Sequence, residues 1–308
     1  MRSLISILIL YFLLLFVSSI GYAQQPPAKK VVITGVRFAY PLVEYWIKEY
    51  KSFNPGVEVI IDSRTSVDPA NYDLLIEAYE AEAKPERDYT YIARYALFPV
   101  ANSKSAFAKI YSEKGLNEAI IKQVFFEDVY ADKDTELNIR APYTIYTRVQ
   151  KAGAPVTFAR YFGFDQKSIG GKAIAGADEH LVKSVLKDST GVTYAPLGLL
   201  FDLASKKPAE GLTILPVDAN GNGRVNDEEK FYTSLDQVIT RLEDESQKTK
   251  NIPVEYIHVS IKKENRNPDA TAFLNWIAQH KSESLHEFGF LKLDAEKLNP
   301  TQQLTLKK

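Results

Sequence analysis

The sequence predicts an α/β protein organised on a parallel sheet, and three observations carry that expectation. Val31, Val32 and Ile33 form a β-branched run that ends at Gly35, and Val57-Glu-Val-Ile-Ile61 forms a second. Between them Leu42, Val43, Trp46, Ile47 and Tyr50 recur at helical spacing, while Glu44, Lys48 and Glu49 fall outside that stripe. Strand, helix, strand is the repeating unit of a parallel sheet. The third observation is length: 308 residues exceed the commonest size of a single domain and point to one large or two medium lobes.

Read in chain order, the first segment is an export signal. Arg2 is the only charge before an apolar run over residues 4–17, and Gly21-Tyr-Ala23 supplies the small residues of a cleavage site before Gln24. Residues 4–20 also approach the length that spans about 30 Å of hydrocarbon. The small, polar exit and the lack of a following basic cluster favour cleavage over anchoring. The region after Gln24 is polar, and Pro41 suits the first turn of the helix that follows. Asn54-Pro55-Gly56 breaks that helix.

Beyond it, residues 89–100 read as a strand-rich crossing, 117–126 as a helix, and 143–147 as a strand ending at Arg148. A short helix over 156–162 is opened by Pro155, another covers 179–188, and 190–198 read as a strand with a turn. Residues 231–244 form an amphipathic helix, 254–261 a strand, and 270–279 a helix with Phe273, Trp276 and Ile277 on one side. A polar tail follows Pro300.

Composition excludes several classes. The chain has no cysteine, which removes disulfides, thiolate metal sites, a cysteine nucleophile and a lipidated N-terminus. Without residues 1–23 the balance is 37 basic groups (38 less Arg2) against 39 acidic, too even to suggest a nucleic-acid partner. There is no Gly-x-Ser-x-Gly elbow and no His-Glu-x-x-His, and His180, His258, His280 and His286 are scattered without ligand spacing. The pattern speaks for a binding protein and against an enzyme.

The run Gly35-Val-Arg-Phe-Ala-Tyr-Pro-Leu-Val-Glu-Tyr-Trp-Ile-Lys-Glu-Tyr50, followed by Asn54-Pro55-Gly56-Val57, resembles the opening of the phosphate-binding proteins of ABC importers. The resemblance continues over residues 148–158, at Thr190-Gly-Val-Thr-Tyr194, and from Ile252-Pro-Val-Glu-Tyr-Ile-His-Val-Ser260 to Asn267-Pro268 and Phe273-Leu-Asn-Trp276, so it covers most of the chain in order. It implies a type II periplasmic-binding-protein fold, with two α/β lobes and a ligand cleft between them. One lobe would comprise residues 24–98 and 252–308, the other 99–251. It also implies a periplasmic monomer that captures phosphate or a related oxyanion and delivers it to an ABC permease in the inner membrane.

The resemblance places the ligand at Arg37 and Phe38, where the family offers a threonine hydroxyl and a backbone N–H, and at Arg148, which falls on the family's ligand arginine. The family's Gly-Ser-Gly-Thr then becomes Lys151-Ala-Gly-Ala154, and a carboxylate position becomes Gln150, so two hydroxyl donors and an acid are lost while Arg37 and Lys151 add cations. Lys151 and Gly153 complete the expected oxyanion site. A protonated phosphate needs an acceptor for its own hydrogen, and Asp73 or Glu77 could restore one. Two plainer readings stay open: Arg37 and Lys151 as solvated loop charges, and Arg148 as an ion pair within the fold. A protein of the same fold that senses or interacts in the envelope without transport is the competing function.

Asp218-Ala-Asn-Gly-Asn-Gly-Arg-Val-Asn-Asp-Glu-Glu229 fits a twelve-residue EF-hand calcium loop. Asp218, Asn220, Asn222 and Glu229 would ligate by side chain, Arg224 by its carbonyl and Asn226 through water, with Gly223 at the sharp turn. Residues 212–217 look like a strand, so the expected arrangement is strand, loop, helix around a structural Ca2+.

Overall fold

The computed structural model describes residues 29–64, 67–79, 84–126, 139, 141–264, 266–280 and 284–298. The export segment at residues 1–23 and the tail after Pro300 lie outside these. The two β-branched runs become β1 (Lys29–Gly35) and β2 (Val57–Ile61), parallel neighbours with Val31 opposite Val59. Helix α1 (Tyr40–Phe53) connects them and buries Leu42, Val43, Trp46 and Tyr50. Trp46 is 1% exposed, and its indole N–H donates to Ser284 Oγ at 2.9 Å, so its one polar atom is satisfied.

Strand β3 (Leu74–Glu77) lies parallel to β1 on its other side. The sixteen-residue β4 (Arg87–Asn102) is the element on which the molecule turns. Further along come α2 (Ala106–Lys114), α3 (Glu118–Phe125), β5 (Thr144–Arg148), α4 (Gly153–Tyr161), β6 (Lys172–Ile174) and α5 (Asp178–Lys187). They are followed by β7 (Gly191–Pro196), α6 (Leu197–Leu200), β8 (Leu212–Ile214), α7 (Leu235–Glu243), β9 (Val254–Lys262), α8 (Pro268–His280) and α9 (Ala295–Leu298).

The strand order is β2-β1-β3-β9-β4-β7-β5-β6, with β8 also on β4. Along β4, residues from Arg87 to Ala96 pair antiparallel with β9, and from Leu97 onward the partner is β7. One strand therefore belongs to two sheet halves, each mixed and each flanked by helices. Every residue of β7 is buried, as expected for a strand covered on both faces.

Local chemistry shifts several predicted boundaries. α4 starts at Gly153 rather than residue 156, because Pro155 fits the first turn and not the position before it. α7 starts at Leu235 rather than residue 231, because the Ser234 side chain accepts the Gln237 N–H and caps the helix there. The loop at residues 218–229 ends in a 3-10 turn, Asp227–Glu229, and the helix expected after it follows at Leu235. β3 and α2 were not visible in the pattern. Among the described residues no helix is long and apolar enough to cross a membrane.

Candidate functional site

The carboxyl ends of β1 and β3 in one half face the carboxyl end of β5 and the start of α4 in the other. A cavity of about 290 Å3 lies there, lined by Gly35 to Arg37, Arg64, Leu75 to Tyr79, Arg148, Gln150 to Gly153 and Gly176. Strand carboxyl ends are where open α/β sheets bind ligands, because the connecting loops and helix starts gather there. Of the residues predicted from sequence, Arg37, Arg148, Lys151 and Gly153 all line this cavity.

Arg37 opens the 3-10 turn Arg37–Ala39 that leads into α1, and its guanidinium donates to the Ser63 carbonyl at 2.6 Å. The Phe38 ring does not line the cavity. It is buried, 4.9 Å from the Tyr95 ring, so only the Phe38 backbone at the start of the turn could serve a ligand. The first N–H groups of a helical turn have no partner inside it. The same holds for α4, whose N-cap Ala152 has no side-chain acceptor to offer. Its third position is Pro155, leaving the Gly153 and Ala154 N–H groups as the donors at that end.

Gly153 has a second role. A Cβ added there would sit 2.6 Å from the Ala78 Cβ, so glycine lets α4 approach the end of β3 directly. Nearby, the buried Tyr95 hydroxyl donates to the Ala78 carbonyl at 2.5 Å and lies 2.8 Å from Thr157 Oγ1, which joins β4, β3 and α4 at the floor of the cleft.

Arg148 forms an ion pair within the fold, as one of the two sequence readings had it. Its Nη1 pairs with Asp178 Oδ2 at 3.3 Å, yet the residue also lines the cavity. Asp178 is 1% exposed, and burial pushes its carboxyl up to about 6 despite the opposing charge of Arg148. Arg148 Nε and Asp178 Oδ1 are buried without a hydrogen-bond partner among the described residues.

The remaining charges complete the electrostatics. Lys151 Nζ sits 5.7 Å from the centre of the Tyr79 ring, and the Arg160 guanidinium 5.4 Å from the same ring. Arg64 reaches the cavity wall while bonded to Asp62 at 2.5 Å. Glu77 is the acid of the cavity. Burial opposes its ionisation, but hydrogen bonds and charge from His258, at 3.5 Å, and the Ser260 hydroxyl, at 3.0 Å, hold its carboxyl below the ordinary range. Asp73 lies elsewhere and accepts the Val32 N–H at 2.8 Å. Sequence reasoning missed Arg64, which has no pattern around it, and Asp178, which is thirty residues from the arginine it pairs with.

The loop at residues 218–229 is folded around two of its acids, Asp218 and Glu229, each 2% exposed. Asp218 accepts the N–H groups of Gly221, Asn222 and Gly223, and Glu229 those of Asn220 and Asn226. Gly223 has φ +92, a turn that a side chain would strain. Among the described residues no three His, Asp or Glu groups converge as a metal cluster; the buried carboxylates of the loop are Asp218 and Glu229.

No family model matches the chain, and no curated protein does. Solved structures do match. A candidate phosphate ABC transporter substrate-binding protein with bound phosphate, from Clostridium perfringens, is 14% identical with a TM-score of 0.62, covering 86% of this chain and 100% of its own. An ABC-type phosphate transport receptor from Vibrio cholerae is 11% identical with a TM-score of 0.57, over 85% of this chain and 100% of its own. The regulatory domain of MetR, a LysR family regulator from N. meningitidis, is 13% identical with a TM-score of 0.52, over 87% and 100%. The fold of this chain is therefore the type II periplasmic-binding-protein fold, which transport receptors and regulatory domains share.

Proposed function

We propose that this chain is a periplasmic oxyanion receptor, exported by residues 1–23, that binds phosphate or a related anion in the cleft and passes it to an ABC permease. The observation that carries this is the convergence of Arg37, Arg64, Arg148 and Lys151 with two helical N-termini on one cavity. Helix starts favour anions through their unpaired N–H groups and dipole, and arginine adds a planar two-donor fork. Glu77 would accept the hydrogen of a protonated phosphate in place of the acid lost at Gln150. In this reading the lobes are residues 24–98 with 252–308, and 99–251. The change of partner on β4 after Ala96 and the start of β9 at Val254 support that division.

Calorimetric titration of the purified protein with phosphate and sulfate tests the reading. One anion should bind per chain, and Arg148→Ala should weaken it by about a hundredfold, the loss of a charged hydrogen-bonding pair to the ligand. No binding of either anion would sink the proposal. A sensor or interaction role without transport is favoured by one observation, the absence of hydroxyl donors at Ala152 and Ala154. Anion binding without uptake by cells that carry the chain would select it.

We further propose that the 218–229 loop holds a structural Ca2+, with Asp218, Asn220, Asn222 and Glu229 as side-chain ligands, the Arg224 carbonyl, and Asn226 through water. The burial of both acids and their turn-forming hydrogen bonds support this. Calcium at a hundred times its dissociation constant should stabilise the protein by about 2.7 kcal/mol. Thermal unfolding with calcium and with chelator should show that gain in the wild type and lose most of it in Glu229→Gln. Identical curves with and without calcium in the wild type would rule the site out.

A further inference from the structure

We propose that the ligand is a small phosphorylated hydroxy acid, whose second anionic group occupies a cavity adjoining the cleft. The inference rests on the oxyanion reading and narrows its substrate class. The second cavity, of about 560 Å3, lies within one half, between the end of β5, the outer face of α4 and the turn that follows it. Arg148 and Lys151 line both this cavity and the cleft, so the two spaces lie on either side of those side chains. A single tetrahedral oxyanion needs neither this room nor these partners, whereas small organic ligands occupy pockets of about 300–1,000 Å3.

The lining states the chemistry. It holds Arg148, Lys151, Arg160 and Lys167 and a single acid, Asp165; with Arg148 already paired to Asp178, the exposed Lys151 and Lys167 are the lysines that a second anionic group would meet. Val156 and Ile169 supply an apolar wall suited to a short carbon chain. Gln166 supplies the third requirement. Its Nε2 donates to the carbonyls of Arg148, at 3.2 Å, and Gln150, at 3.0 Å, and two carbonyl partners fix which end of the amide is the nitrogen. Its Oε1 is therefore a buried acceptor, and it has no partner among the described residues. A fully ionised sulfate has no hydrogen to give it, and a singly protonated phosphate has already given its hydrogen to Glu77; a hydroxyl on the ligand's carbon chain has a further one. Two anionic groups joined by a short hydroxylated chain would match the cations of both cavities, and the hydroxyl would supply this acceptor's missing donor once the Gln166 amide turns toward the cavity it lines.

Calorimetry with inorganic phosphate, glycerol 3-phosphate and 3-phosphoglycerate separates the possibilities. The expected result is one 3-phosphoglycerate per chain, bound at least about tenfold more tightly than either of the others. Lys167→Glu, at an exposed position, should reduce the ratio of 3-phosphoglycerate to phosphate affinity by about tenfold. Equal affinities for the three, two anions bound per chain, or a ratio that Lys167→Glu leaves intact would each overturn this inference while leaving the oxyanion receptor in place. Failure of all three compounds and of sulfate to bind would remove both.

Discussion

Asp178 sits in an environment very unlike that of a free carboxylate. Its carboxyl titrates at about 6 because burial penalises the charge more than Arg148 at 3.3 Å rewards it, and neighbouring Glu179 adds repulsion. In the unfolded chain the same group titrates near 3.8. Between those values the folded protein holds a proton that the unfolded chain has released. This group therefore favours folding most below about pH 4 and loses that contribution as the pH rises through 6, on the order of 2–3 kcal/mol. Urea unfolding from pH 4 to 7 should show this slope in the wild type and its absence in Asp178→Asn; parallel slopes would refute the assignment. The functional counterpart is that Asp178, when ionised, partly neutralises Arg148. Sulfate, whose charge does not change over this range, should bind more tightly at pH 5 than at pH 7, and that trend should vanish in Asp178→Asn.

Residues such as Arg148 show what a sequence can and cannot convey at this scale. Its type and its place at the end of a strand were legible, because a strand end followed by a helix start is a local pattern. Its partner was not, because Asp178 reaches it from the first turn of a helix in another segment. The same holds for Glu77 and His258, which meet across adjacent strands β3 and β9 far apart in the chain.

At the scale of elements, the start of α4 is the part of the site most exposed to small changes. The helix presents its first N–H groups to the cavity only because Gly153 lets it lie against Ala78. Gly153→Ala would place a methyl 2.6 Å from the Ala78 Cβ, and neither backbone has a flexible side chain with which to yield. The helix start should shift, with an overpacking cost of about 1–3 kcal/mol in thermal or urea unfolding and an anion affinity at least about tenfold lower. Unchanged affinity would mean that the α4 terminus takes no part in binding. Strand and helix existence followed from periodicity in most cases, including β2, whose predicted and observed limits agree. Boundaries moved where a cap outweighed hydrophobic patterning, as at Ser234. β3 was missed because four residues give too short a run for a period to show.

At the scale of the whole molecule, the long β4 makes two halves of one structure. It pairs first with β9 and then with β7, and Tyr95 on it binds Ala78 of one half and Thr157 of the other. Ligand contacts made from both halves would favour a closed arrangement, since a ligand shifts such an equilibrium only by its differential affinity. The loop at residues 218–229 also touches this framework. The Asn251 side chain donates to the Asp218 carbonyl at 2.8 Å just before β9 begins, and the Asn117 amide donates to the Gly223 carbonyl at the start of α3. The loop is thus positioned to stiffen the return of the chain toward β9.

The sequence by itself determined the α/β class, the succession of most elements, the even charge, the absence of cysteine chemistry and the glycine turn within residues 218–229. These are local or compositional properties, encoded in spacing and residue type. Only the tertiary structure decided which charges share a cavity. It brought Arg64 and Glu77 to Arg37 and Arg148, sent Asp73 elsewhere, and set a buried acid behind the central arginine. The physical reason is that a cleft between two sheet halves is assembled from segments distant in the chain, and no spacing along a single strand or helix records which of them will meet.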